Sequence, residues 1–497
     1  MIGINLAIQF QTAPGFPSMS LISPIFFAFV AATIVAFHIS ESVPYRRVVL
    51  AAANAIFIAS YLTDFTQVLP LFAFLALGYA CVCTLYVRRA SVVLALGVAA
   101  VLCSYIHLKR FSFFDDLGHL PFPYVTIGLS YILFRILHIM VDVRSGDLVE
   151  RIGPFAFFRY VCNFLCFVSG PIQRYQDFSE TDGKAAVKPD TSNVYGAFSR
   201  IVTGYVKFVI IAATADYAFT FLSPQLLQAA PVPFFKLCAI YATAASLYTV
   251  YLYFNFSGYM DIVIGIGGLL GQSLPENFDK PFTASSFLEF WQRWHMTLSQ
   301  WFKFYLFNPL LMFLMAWLPS PALTAYLGVL AFFITFLVMG VWHGTTAVFV
   351  IYGFLMGAGA SINKLWQEAC IKRLGKKRYR ALSGSTAYIY FARGLTVGYF
   401  ALALTCLWVT ELPQFTDLLV RLGVAGVLGT FVVLIATFAM AALALDLIRE
   451  RVHIPLSLSA IQNGEIVRNL TLASKMMAIV AVATLLHKAP DFVYKAF

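Results

Sequence analysis

Long apolar runs recur from one end of this chain to the other, among them Leu21 to Ala36, Val92 to Tyr105, Ala331 to Val341 and Val424 to Leu445. A bilayer core is crossed by about 20 apolar residues wound as helix. Backbone N–H and C=O groups left unpaired cannot face lipid, so runs of this kind must close their hydrogen bonds internally. Of the 497 residues, 60% are hydrophobic and 11% are charged, against roughly 25% charged in soluble domains. The reading is an all-α polytopic membrane protein with about eleven or more transmembrane helices.

No composition break, heptad run or internal repeat divides the chain, so residues 1–497 are read as one membrane-embedded domain. The first apolar run has no basic segment before it and no small-residue cleavage site close behind. Its helix is therefore expected to be retained. The net charge of +11 raises the possibility of nucleic-acid binding. In a membrane chain, excess Lys and Arg belong instead in loops beside anionic lipid, and no nucleic acid is expected. Two spans separate Arg46 and Arg47 from Arg88 and Arg89, so the pairs share a side, which the positive-inside rule makes cytoplasmic. "KRLGKKRYR", Lys372 to Arg380, is expected on that side of the plasma (inner) membrane too. The polar stretch from Asp177 to Ser199 reads as a solvated connector. The eight cysteines are scattered through apolar segments and read as inert thiols, and Cys81 and Cys83 are wrongly spaced for a zinc knuckle.

Polar groups at membrane depth are costly, and each is a site hypothesis. Four islands stand out. In "FVSGPIQRYQDF", Phe167 to Phe178, Gly170 and Pro171 break an apolar run, as in a re-entrant turn or a span ending in a loop. In the second, Tyr253 to Phe282, Asn255, Ser257 and Asp261 interrupt an apolar helix. Ser257 and Asp261 share a face. Gly265, Gly267 and Gly268 allow close helix approach, and "LPENFDKPF", holding Asn277, reads as an extended interfacial loop. The third, "EFWQRWHMTLSQWFKFYLFNPL", starts at Glu289. Read as one helix, it carries Phe290, Trp294, Leu298, Trp301 and Tyr305 on one stripe and Gln292, His295, Ser299 and Lys303 on another side. That pattern suits an amphipathic helix at the headgroup region. Arg293 lies beside them. The fourth, "VMGVWHGTTAVFVIYGFLMG", places Trp342 and His343 between apolar runs, with Gly340 and Gly344 flanking. A histidine there is either hydrogen-bonded across helices or a general base.

In this order the islands resemble the membrane-bound O-acyltransferase family, in particular its bacterial branch of alginate O-acetyltransferases and teichoic-acid D-alanyl transferases. The resemblance runs from about Leu120 to Gly357. It implies helices, some interfacial or re-entrant, around a central funnel or tunnel. The family's invariant histidine matches His343 and its second histidine matches His295. Alginate-type members usually follow the second histidine with an Arg-Asp pair and a Gly-Gly turn, whereas here Lys303 and Phe304 follow. "RWHMTLS" leans toward the D-alanyl branch, so the acyl group stays open.

The implied reaction moves a short acyl group, acetyl or D-alanyl, from a cytoplasmic thioester to a hydroxyl. The acceptor is an exported surface polymer or a partner protein relaying the group. His343 and His295 are the candidate catalytic residues. Asp261, Asn255, Ser257, Arg293, Trp294, Ser299, Lys303, Trp342 and Asn277 are candidates for the tunnel and substrate contacts. No cofactor is expected to bind tightly. The donor is a thioester on coenzyme A or a carrier protein's phosphopantetheine. No metal is expected, because two distant histidines lack a matching carboxylate pair. Expected partners are the lipid bilayer, the donor, and an extracytoplasmic accessory acyltransferase or polymer acceptor. A transporter or flippase, or a non-catalytic scaffold in an acyl-export complex, is the alternative; inverted repeats would favour transport, and none is visible.

Overall fold

The computed structural model describes residues 19, 23–113, 120, 122, 124, 126–184, 191–227, 232–451 and 465–486. The described residues are helical, and they contain no β-ladder beyond one isolated antiparallel bridge. In chain order the helices are α1 (Pro24–His38), α2 (Val43–Ala59), α3 (Leu69–Val87), α4 (Ser91–Lys109), α5 (Leu129–Ser145), α6 (Pro154–Val161), α7 (Phe164–Phe167), α8 (Tyr175–Thr181), α9 (Thr191–Tyr205) and α10 (Ala213–Leu227). Then come α11 (Phe234–Leu269), α12 (Phe287–Arg293), α13 (Met296–Phe302), α14 (Asn308–Trp317), α15 (Thr324–His343) and α16 (Ala347–Leu374). Last are α17 (Lys376–Ser383), α18 (Thr386–Ala403), α19 (Thr405–Trp408), α20 (Leu412–Arg451) and α21 (Glu465–Leu486). Proline stands in the first turn of α1, α2, α3 and α6, where its missing N–H costs no helical bond.

Among the described residues, eight helical segments are long and apolar enough to cross a membrane, and Ile25–His38 and Asn469–Ala481 are shorter apolar helices. In α20 only 6% of the most apolar window is buried inside the protein. Water would not tolerate so large an apolar face, whereas lipid is its natural solvent. This is a multi-pass membrane protein.

Helix α11 is the central post, touching α7, α9, α10, α18 and α20. A Cβ on Gly258 would lie 2.7 Å from the Gly204 carbonyl oxygen of α9, so the two backbones meet directly. Gly265 is equally tight against Ile201, while Gly268 meets only Ala197, at 3.7 Å. Helices α15 and α16 form a second backbone-close pair through Gly340 and Gly353.

The "GPIQRY" segment enters the protein interior. Ser169, Gly170, Pro171 and Gln173 are buried after the four-residue α7. The Gln173 amide donates to the Ser273 carbonyl at 2.8 Å. The stretch from Asp177 to Ser199 is not uniformly a solvated connector. Its Asp182 is buried and held by both Arg47 and Arg159, which neutralise a carboxylate that could not otherwise leave water.

Candidate active site

The helix expected through Phe290 and Tyr305 is broken at its middle. Helix α12 ends when the Trp294 N–H bonds the Phe290 carbonyl at 2.8 Å. The chain then turns extended at Trp294 and left-handed at His295, with φ 45° and ψ 53°. The loop after α11 causes the break. It offers Asn277 O to the Met296 N–H, and its Asp279 N–H bonds Arg293 O, both at 2.9 Å around a Phe278–Trp294 bridge. These bonds replace helical ones, so α12 ends at Arg293 and α13 starts afresh at Met296. The interfacial stripe is thereby corrected. Trp294 is only 2% exposed and packs against Phe278, Phe290 and Phe400, while Trp291 packs against Phe336. Gln292 and Lys303 are exposed and His295 is buried, so they do not share a polar face.

A left-handed backbone at a non-glycine residue costs about 1–2 kcal/mol and is kept only where the surroundings enforce it. It turns the His295 ring inward, where it lies edge-on to Phe256 of α11, centroids 4.8 Å apart. Its Nδ1 is 3.2 Å from Asn277 Oδ1. Asn255 and Ser257 of α11 are buried too.

His343 is the last residue of α15 and is 2% exposed. It packs edge-on against Tyr352 of α16 and beside Trp342, centroids 5.5 and 4.8 Å apart. Gly344 lets the chain leave the helix beneath the Phe349 ring, which a Cβ there would meet at 2.0 Å. The segments that carry His295 and His343 are joined by aromatic contacts, Trp291 of α12 packing on Phe336 of α15 and Phe134 packing on both Trp301 of α13 and Trp342. Two histidines from separate islands therefore share one dry, aromatic neighbourhood.

A sequence profile of the membrane-bound O-acyltransferase family matches residues 143–402, just over half of the chain. The chain belongs to that family. It is 30% identical over 230 residues to the teichoic acid D-alanyltransferase of Bacillus subtilis (strain 168), covering 46% of this chain and 56% of that one. To the same enzyme of Streptococcus thermophilus it is 32% identical over 258 residues, covering 51% and 60%. To the probable alginate O-acetylase AlgI of Pseudomonas aeruginosa it is 30% identical over 342 residues, covering 64% and 61%. The chain thus spans less than two thirds of the length of these relatives.

The other expected site residues of this O-acyltransferase family member are placed less centrally. Asp261 is tied to Arg200 at 3.0 Å and to Lys207 at 2.6 Å, and Arg200 also grips Glu276. Its charge is spent on joining α9 to α11. Arg293 pairs with Glu289 at 2.8 Å and donates to the Thr283 hydroxyl. The Ser299 hydroxyl reaches back to the Trp294 carbonyl. Lys303 is exposed, its ammonium 6.0 Å from the Phe304 ring centroid. Trp342 is buried, and its indole N–H has no acceptor among the described residues.

Sequence reasoning missed a polar network on α5. His138 Nδ1 lies 2.9 Å from the Tyr305 hydroxyl and 3.3 Å from the Asp142 carboxylate. Asp142 also accepts from Tyr305, Arg174 and Gln176, and His138 Nε2 accepts from the Tyr175 backbone N–H. One turn away, Phe134 packs against both Trp301 and Trp342, and its carbonyl accepts from the Trp301 indole. Helix α5 therefore braces the first, third and fourth islands against one another. The signal was a His and an Asp four residues apart in the apolar run "LHIMVD".

Proposed function

We propose that the protein is an O-acyltransferase. It moves a short acyl group, acetyl or D-alanyl, from a cytoplasmic thioester to a hydroxyl of an exported surface polymer or of a partner protein that relays it. The observation that carries this reading is the meeting of His295 and His343 in one buried neighbourhood. The relatives' names support it, because they describe acyl transfer to two polymers, teichoic acid and alginate.

A thioester is already activated, so the protein's task is to position two substrates and move one proton. His343 takes the proton of the attacking hydroxyl, a role that contributes about 10²–10⁴-fold. The hydroxyl oxygen bonds to the thioester carbonyl carbon, the C–S bond breaks, and the departing thiolate recovers the proton from His343. The products are an ester and a thiol. The Trp342 N–H is suited to the carbonyl oxygen as charge develops there. The aromatic shell excludes water, which would otherwise hydrolyse the donor.

The donor enters from the side bearing the basic loops. Arg47 reaches Asp182 just after α8, Arg174 at the start of α8 reaches Asp142, and the nearby Arg144 donates to Ser91 next to Arg88 and Arg89; this run of contacts supports a shared side for both basic pairs. Lys303 is the residue suited to a phosphate-bearing arm, whereas Arg293 is occupied by Glu289. The test is reconstitution in liposomes with acetyl-coenzyme A, or a D-alanylated carrier protein, confined to one side. Ester should form only with donor on the face of Lys372 to Arg380, and His343→Ala should form none. Equal transfer from either face would reject the crossing mechanism.

A further inference from the structure

Asn277 is 1% exposed, in the loop between α11 and α12. Its Oδ1 faces the Thr297 backbone N–H at 3.1 Å, the Thr297 hydroxyl at 2.9 Å and His295 Nδ1 at 3.2 Å. A backbone N–H can only donate, so the amide atom facing it is an oxygen. This removes the usual ambiguity between the two ends of an asparagine. A carbonyl oxygen can only accept, so the His295 nitrogen facing it must carry the ring proton. In a neutral imidazole the other nitrogen, Nε2, is then a lone-pair acceptor. The left-handed backbone at His295 and the Met296 N–H bond to Asn277 O hold the two residues in this register.

We infer that Asn277 is a positioning residue that fixes the tautomer of His295, so that His295 grips the acceptor through a hydroxyl and not the donor through its carbonyl. The inference rests on the acyl transfer proposed above. A neutral ring with its proton on Nδ1 has nothing to donate to a thioester carbonyl from Nε2. It accepts from an O–H. A hydroxyl has one proton, and that of the reacting hydroxyl goes to His343. The Nε2 lone pair therefore suits a second hydroxyl beside the reacting one, which favours a polyol or a sugar over a simple alcohol.

Two measurements on the full-length protein in lipid nanodiscs test this. Nitrogen-15 NMR of selectively labelled histidine reads the tautomer directly, the His295 signal being assigned by its loss in His295→Gln. The expected wild-type form has the proton on Nδ1, retained in Asn277→Asp and mixed in Asn277→Ala. A proton on Nε2 in the wild type would overturn the inference, whether or not the variants fold. The second measurement follows acetyl transfer from acetyl-coenzyme A to glycerol and to 1-propanol. Wild type should favour glycerol. Asn277→Ala should raise the glycerol KM about threefold, the inverse of the fraction left in the competent tautomer, and leave the acetyl-coenzyme A KM unchanged. Equal use of both alcohols by wild type, or a rise confined to the donor KM, would also overturn it. Absence of wild-type transfer to either alcohol would count against the acyl-transfer reading, while the spectrum would still decide the tautomer.

Discussion

Gly340 of α15 and Gly353 of α16 are in backbone contact: a Cβ on Gly340 would lie 2.2 Å from the Gly353 Cα. Because Gly340 is one turn before His343, this contact sets where the imidazole ends up. Gly340→Ala should therefore cost about 1–3 kcal/mol through overpacking and reduce acyl transfer more than its stability loss accounts for. Gly429→Ala in α20, where nothing lies within 4 Å, is the matched control. It should leave the detergent melting temperature unchanged or slightly raised. Equal effects of the two substitutions would refute a packing role for Gly340.

Asp142 should be a stability residue. Its carboxylate accepts from Tyr305, Arg174 and Gln176 and lies beside His138. Arg174 is half exposed and returns to water when its partner is lost, so the cost is that of leaving the buried hydrogen-bonding partners unsatisfied, about 1–3 kcal/mol. Asp142→Ala should lower extracted yield and melting temperature sharply, while Tyr305→Phe, which deletes one hydroxyl, should cost about 1 kcal/mol. Similar melting temperatures for the two would show that the network is not cooperative.

The two histidines should separate folding from chemistry in different ways. His343→Ala should yield a well-folded protein without transfer. His295→Ala and His295→Gly should both lose transfer and the ring's packing, but the glycine variant should be about 1 kcal/mol more stable than the alanine one, because glycine adopts the left-handed turn without penalty. Thermal melts of His295→Ala against His295→Gly check this. Equal melting temperatures for the two would mean that the left-handed turn carries no strain.

Lys372, Arg373, Lys376, Lys377, Arg378 and Arg380 are all exposed on α16 and α17, between two membrane-length helices. In intact cells, a cysteine at Gly375 should resist a membrane-impermeant maleimide and react after permeabilisation. Labelling before permeabilisation would reverse the assigned orientation.

Much of the molecule was readable from local pattern. The long helices follow from apolar run length, and His343 was conspicuous because it lies between two long apolar runs. The break at His295 was not readable. Its cause is pairing with Asn277 and Asp279, more than a dozen residues upstream, and a tryptophan stripe at helical spacing suits a continuous helix equally well. Asp182 was misjudged for the same reason. Its neutralising partners, Arg47 and Arg159, come from distant positions, and only the folded chain brings them together. The His138–Asp142 spacing, by contrast, was visible and was passed over in favour of islands with glycine and tryptophan.

The α15–α16 contact also bears on how the protein is made. His295 leaves the ribosome before His343, and His343 before Gly353. The two rings take up their working relation only after α16 has been inserted and has closed on α15. A nascent chain therefore carries both histidines for a time without a formed site. The site thus has no working geometry until the last of its helices has closed, and an unfinished copy in the membrane is silent without any separate inhibitor.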